Sequence, residues 1–336
     1  MNLTTYVARR LVLMVLVVFG VLVITFVVSH VVPADPVGAI LGGNAPQEKV
    51  DDLRRQLGLD KPLHLQFVTY VWGAVRGDLG ISLRTGRPVW DDIQQYFPAT
   101  VELTFTAIIL AIILGIPLGV ISAARRNQVH DHTARVFSIV GVSMPVFWTG
   151  LVLMLLLYYR LGWLPGPGRL DLEIIPPAGP TRLLLLDSLL AGNWAALSNA
   201  VAHLAMPAFV LGYVATATIA RVTRSSMLDV LYQDYIRTAR SKGLVERVVV
   251  LRHALRNALI PTVTVIGLVF GGLLEGSVLT ETIFAWPGLG RYITTGFLTL
   301  DYPAVMGGTL YIAVVFSIVN LIVDLGYAFL DPRIRL

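Results

Sequence analysis

The chain has 336 residues, 55% of them apolar and only 14% charged, a balance too oily for an ordinary soluble domain. Its net charge of +5 comes from cations gathered at the ends of apolar runs, not from a basic aromatic groove, which argues against nucleic acid as a partner. Cysteine is absent, which excludes disulfides, a thiolate nucleophile and Cys-ligated metal.

Arg9 and Arg10 precede an uncharged apolar run over residues 11–32. It is longer than the core of a cleaved signal peptide and suits a retained first span. His30, towards its far end, reads as an interfacial polar residue. Residues 33–98 form the longest polar stretch. Asn44 is placed to cap a helix with Pro46 at its first position, running to Gly58. A second helix starts at Lys61-Pro62 and carries an apolar stripe of Leu63, Phe67, Tyr70, Val71 and Trp72, until Arg76-Gly77-Asp78-Leu79-Gly80 breaks it. This is expected to be an ordered helical region outside the membrane.

A second span is expected over 100–124, with Glu102 near its start and Gly115, Pro117 and Gly119 inside. Arg125, Arg126 and Arg135 flank a turn holding His130, Asp131 and His132, read as protonatable and not as a metal site. A third span follows over 136–159 with Pro145 inside it. Residues 160–199 are rich in Gly and Pro, and their apolar run 183–190 is too short to cross. The fourth span covers 201–220, with Pro207. The fifth covers 258–280, where Gly267, Gly271, Gly272 and Gly276 offer close packing surfaces. Residues 281–303 form an outer loop, 304–330 the sixth span, and 331–336 a tail.

Between the fourth and fifth spans lies a basic island, 221–261, with eight Lys/Arg against Asp229, Asp234 and Glu246. Apolar residues recur at helical spacing over 229–242. Arg240 and Lys242 sit in the last turn and Gly243 where a helix stops, so a second short helix can follow. With six spans and both ends inside, fifteen of the 26 Lys/Arg fall on the cytoplasmic side, concentrated in its turns. The fold is thus expected to be all-α and integral to the membrane, with six transmembrane helices and a helical region between the first two.

No G-x-x-x-x-G-K-[ST] occurs, so the chain is not expected to be an ATPase, and energy must come from a partner. A secondary transporter is disfavoured because Glu102, Glu275 and Asp324 lie near span ends, away from the midplane. An intramembrane enzyme is disfavoured by the absence of H-E-x-x-H and G-x-S-x-G. No residue is assigned a catalytic, cofactor-binding or metal role.

Several stretches resemble the ABC-importer permeases. Arg237-Thr238-Ala239, three residues, then Gly243 stand where that family's cytoplasmic loop has Glu-Ala-Ala-x-x-x-Gly. Arg237 and Thr238 depart from its first two residues, and the Leu-Pro ending is displaced to Ile260-Pro261. Those departures match the peptide and nickel importers. So do PADP at 33–36, RGDLGISL at 76–83, SMPVFW at 143–148, ETIFAWPGLGR at 281–291, DYPAVMGG at 301–308 and DPRIR at 331–335. The dipeptide-permease branch is the nearest match.

The resemblance implies a type I importer transmembrane fold: an N-terminal helix (1–33), an external region (34–98), a core (99–330) with a coupling loop (221–257), and a cytoplasmic tail (331–336). It implies a multi-pass protein of the bacterial cytoplasmic membrane, paired with a second permease, two ATP-binding subunits and an external solute-binding protein that delivers peptide. ATP and Mg are then bound by the partners, with no cofactor in this chain. Nickel, glutathione and haem are alternative solutes. Asp234, Arg237, Thr238, Ala239, Arg240 and Gly243 are the candidates for ATPase coupling. Asp78, Gly80, Glu281, Trp286 and Arg291 are the candidates for binding-protein or outer-gate contact.

Overall fold

A computed structural model describes residues 3–31, 37–38, 46–56 and 58–330. The Asn44 cap, the PADP stretch at 33–36 and the tail at 331–336 fall outside the described residues. The helices are α1 (Leu3–Val31), α2 (Gln47–Gln56), α3 (Leu63–Val75), α4 (Val89–Ala124), α5 (Val129–Ser143), α6 (Val146–Leu153), α7 (Leu184–Leu190), α8 (Trp194–Leu231), α9 (Asp234–Ser241), α10 (Leu255–Ile283), α11 (Leu289–Leu298) and α12 (Tyr302–Leu330). A π-helical turn, Met154–Arg160, prolongs α6. A single turn, Glu246–Val248, and a π-helical turn, Val249–Ala254, lead into α10.

Five helical runs among the described residues are long and apolar enough to cross a membrane, and the α5–α6 pair makes a sixth if it counts as one span. That pair is bent by 104°, so the expected continuous third span is broken. The cause is local. A residue before proline is pushed out of the helical region, and Met144, before Pro145, is extended at φ −85°, ψ 128°. The helix therefore ends at Ser143 and restarts after Pro145.

The residues group into two compact units, Met1–Ala99 with Pro287–Ile318, and Thr100–Trp286 with Val319–Leu336. In the first, Leu22, Leu79, Val89, Ile93, Leu289 and Tyr292 form the apolar core. Buried Asp301 ties the 80–88 loop to the start of α12. It accepts from Ser82 Oγ at 2.5 Å, the Arg84 backbone N–H at 3.1 Å and the Ala304 N–H at 3.2 Å.

In the second unit α8 is innermost, with buried residues recurring from Ala196 to Met227. The Asn193 side chain caps it by accepting from the Ala196 N–H at 3.0 Å. The closest helix approaches use glycines on α4 and α8, while on α10 a Cβ on Gly276 would meet Leu211 of α8 at an ordinary 3.5 Å. A Cβ on Gly119 would come within 2.6 Å of the Ala220 carbonyl, and one on Gly212 within 2.7 Å of the Ala107 carbonyl, whereas one on Gly272 would meet nothing. The loop before α7 is pinned to α8 through Asp171, which accepts from Asn199 Nδ2 at 2.5 Å and meets His203 Nε2 at 3.0 Å. The Asn199 and then the His203 contacts hold the Asp171 carboxyl below the usual carboxylate range.

Candidate coupling site

The basic island folds differently from a single helix over 229–242. α8 continues without interruption to Leu231, so about the first quarter of the island belongs to the membrane-crossing helix. Gln233 is extended at φ −72°, ψ 149°, and α9 starts afresh at Asp234, whose carboxylate suits the positive end of a helix. The re-aimed α9 places its two apolar residues inward. Ile236 and Ala239 are buried with Val120 and Ala123 of α4, Met227 of α8, and Val249, Val250, Ala254 and Ala258 on the way into α10. One short helix is thus keyed into three long ones.

The other face of α9 is exposed. Asp234 and Arg237 side chains are 94% and 70% exposed and lie 3.4 Å apart. Thr238 Oγ1 donates back to the Asp234 carbonyl at 3.0 Å. Gly243 has φ +76°, the left-handed region that penalises any Cβ. The space beside it is open, so the constraint there is conformational and not steric. The left-handed turn reverses the chain so that Arg240 meets Glu246 in a two-pronged pair at 3.1 and 2.7 Å. That bond, above all, raises the Arg240 guanidinium above its ordinary value. The expected second short helix starts at Glu246 as a single turn and runs on through the π-helical turn into α10.

Sequence reasoning missed the support beneath this loop. Asp131 is fully buried and accepts from Arg224 Nε at 2.7 Å, Arg224 Nη2 at 2.9 Å, Ser122 Oγ at 2.7 Å and the Asn127 N–H at 3.0 Å. It locks the α4–α5 turn to α8 seven residues before α8 ends. Beside it, Arg126 Nη1 donates to the Tyr232 hydroxyl at 2.6 Å, and Asn257 Nδ2 to the Tyr235 hydroxyl at 2.7 Å. The readable signal was a lone carboxylate in an arginine-rich turn.

The five outer candidates separate. In the second unit Glu281 and Trp286 are fully buried. Glu281 accepts from Thr100 Oγ1 at 2.7 Å, and the Arg169 guanidinium lies 5.8 Å from the Trp286 ring centroid. Both side chains face the interior of their own unit. The same interior holds Glu102, which accepts from Arg169 at 3.0 and 2.5 Å and from the Leu185 N–H at 2.6 Å. In the first unit Asp78 and Arg291 are exposed. Asp78 Oδ1 accepts from the Gly80 N–H at 2.9 Å, and Gly80 is left-handed at φ +83°.

Residues 115–336 match the family model described as the binding-protein-dependent transport system inner membrane component, and residues 3–104 match the model of its N-terminal part. The probable D,D-dipeptide transport system permease protein DdpB of Escherichia coli K12 is 50% identical over 321 residues, covering 96% of this chain and 94% of that protein. The dipeptide transport system permease protein DppB of the same strain is 46% identical over 98% of both chains. The glutathione transport system permease protein GsiC of Escherichia coli O6:H1 is 39% identical over 98% of both. With both family models spanning nearly all of the helices and the loop described above, the chain belongs to the binding-protein-dependent transport system inner membrane components, the permease subunits of ABC importers.

Proposed function

We propose that this chain forms half of a translocation path for short peptides, dipeptides foremost, across the bacterial cytoplasmic membrane. A second permease supplies the other half, and two ATPase subunits, which carry ATP and Mg, drive it. An external solute-binding protein delivers the peptide. Both chain ends face the cytoplasm, as does the 221–257 loop.

The observation that carries the reading is the keyed geometry of α9. A helix with a polar exposed face and an apolar inner face joined to α4, α8 and α10 converts an outside push into movement of three membrane helices. Such a contact can bias a two-state inward–outward equilibrium only if the partner's own states press on it differently. Asp234, Arg237, Thr238 and Arg240 form the docking face. Ala239 is its inner anchor and Gly243 the turn that aims it.

The test is co-purification with the chains encoded alongside, followed by ATPase assay in vesicles. Dipeptide, loaded on the binding protein, should stimulate hydrolysis. Stimulation by glutathione alone would move the substrate to the branch of that relative. A stable, active monomer driven by an ion gradient would overturn the ATP-coupled reading.

A further inference from the structure

Helix α3 has a composition that water does not explain. Its sequence, LHLQFVTYVWGAV, is uncharged over thirteen residues, yet none of them is buried by the protein. Beside the polar His64, Gln66 and Thr69 it exposes a run of large apolar side chains, and such a face needs an apolar surrounding. α2, by contrast, reads QEKVDDLRRQ and suits water.

Two faces of α3 can be separated. One packs within its own unit: Tyr70, Val71 and Ala74 lie against the core that contains Leu22 of α1. Phe67 sets its ring 6.2 Å from that of Phe19 and 5.1 Å from that of Phe26. The opposite face carries Leu65, Val68, Trp72 and Val75, which recur at helical spacing and are 46%, 60%, 59% and 76% exposed.

The partners on α1 set the depth. Phe19 is midway along the Val7–His30 membrane run. Eleven residues separate Phe19 from His30, about 16 Å of helix, and half a hydrocarbon core is about 15 Å. A helix whose ring touches both Phe19 and Phe26 therefore lies beside the half of α1 that sits within one leaflet. The exposed face of α1, with Val15, Phe19 and Val27, is also apolar and continuous with that of α3. Cations stand just beyond each end of α3, at Lys61 and Arg76. The Arg76 guanidinium lies 4.4 Å from the Trp72 ring centroid, the pairing of cation and indole that suits a headgroup boundary.

We infer that α3 is a membrane-seated helix, its Leu65, Val68, Trp72 and Val75 face lying against the acyl chains of the leaflet at the His30 end of α1. The occupant of this face is phospholipid. A mainly apolar groove between the two helices, about 280 Å³, is lined by Val23, Phe26, Val27, Leu63 and Phe67, with His30 and His64 beside them. The polar region between the first two spans is then tethered to the bilayer by α3, while α2 remains in water.

The absence of native cysteine makes the test direct. Val68→Cys and Val75→Cys are spin-labelled singly in the full transporter, with partner cysteines replaced, in phosphatidylethanolamine–phosphatidylglycerol vesicles. Val15→Cys on α1 is the lipid reference and Glu48→Cys on α2 the aqueous one. Collision with oxygen should exceed collision with a water-soluble nickel chelate at 68 and 75, as at 15, with the ratio reversed at 48. Nickel-dominated collision at 68 and 75 would place α3 in water and overturn the proposal. Exclusion of both reagents would overturn it too, by showing that a protein partner covers the face. Should either variant fail to assemble, Leu65→Cys on the same face gives the same reading.

Discussion

The Thr100–Trp286 unit carries two charge-bearing regions with opposite logic. Around Glu102 the ion pair is turned inward: Glu102 and Arg169 side chains are 5% and 17% exposed, and Glu281 and the Trp286 ring are sealed beside them. Around α9, twenty or so residues further along α4 and about 30 Å away by helix rise, the apolar residues are turned inward and the charges outward. The first region is closed upon itself, so its polar bonds hold the unit together. The second turns its charges towards the solvent, where another chain can meet them, and has a firm apolar root. A region that must transmit a push needs both a surface to be pushed and an anchor that does not yield, and only α9 combines them.

The widest separation between the two should come from deleting one partner of the Glu102–Arg169 pair. Removing one member of a buried ion pair leaves the other uncompensated and costs about 3–5 kcal/mol. Arg169→Ala or Glu102→Ala should therefore lower the thermal midpoint and the folded yield sharply. Combining Glu102→Leu with Arg169→Met, which removes both charges at once, should restore much of the loss. A single change without effect on the midpoint would mean that the Glu102 region is no more closed than the loop.

At α9 the root is tested by Ile236→Ala. Truncating a buried Ile costs about 2–5 kcal/mol, but here it is spent on the docking of one eight-residue helix. Protease cleavage near 234–243 should rise and peptide-stimulated ATP hydrolysis should fall, while the midpoint of the membrane core shifts little. Gly243→Val follows in size. Holding a side chain in a left-handed conformation costs about 1–2 kcal/mol, so the protein should still insert but uptake should uncouple from ATP. Gly243→Asn, which tolerates that conformation better, should keep more coupling. Normal uptake by Gly243→Val would remove Gly243 from the coupling device.

These two regions also differ in how far residue order reveals them. Gly243 was legible because a glycine after Arg240 and Lys242 has a local meaning, and local backbone demands are written locally. The all-α plan and most span positions were legible for the same reason, through uncharged runs of membrane length. The break at Met144-Pro145 was not legible beyond a proline inside an expected continuous span, since proline's effect on its predecessor does not tell whether a helix bends or stops. The α8–α9 break at Tyr232-Gln233 was not legible, because helical periodicity continues across it and only the packing of Ile236 on Val120 and Met227 selects the new direction. Glu102–Arg169 and Asp131–Arg224 span 67 and 93 residues. Separations of that size leave no periodic trace. The burial of Glu281 and Trp286 was hidden likewise, since a motif marks where a residue matters and not which way it faces.

The smallest expected effect sharpens the contrast most. Arg240 and Glu246 are 42% and 60% exposed, and a surface pair of this kind is worth about 0.2–1 kcal/mol, less in salt. Arg240→Gln should therefore leave the thermal midpoint almost unchanged. If the pair only fastens the turn, coupling should also survive, and Glu246→Gln should behave identically. If Arg240 belongs to the docking face, the two changes part company: Arg240→Gln weakens association with the ATPase subunits, increasingly so at low salt where the lost attraction is largest, while Glu246→Gln does not. Equal, negligible effects from both would confine the docking face to Asp234, Arg237 and Thr238.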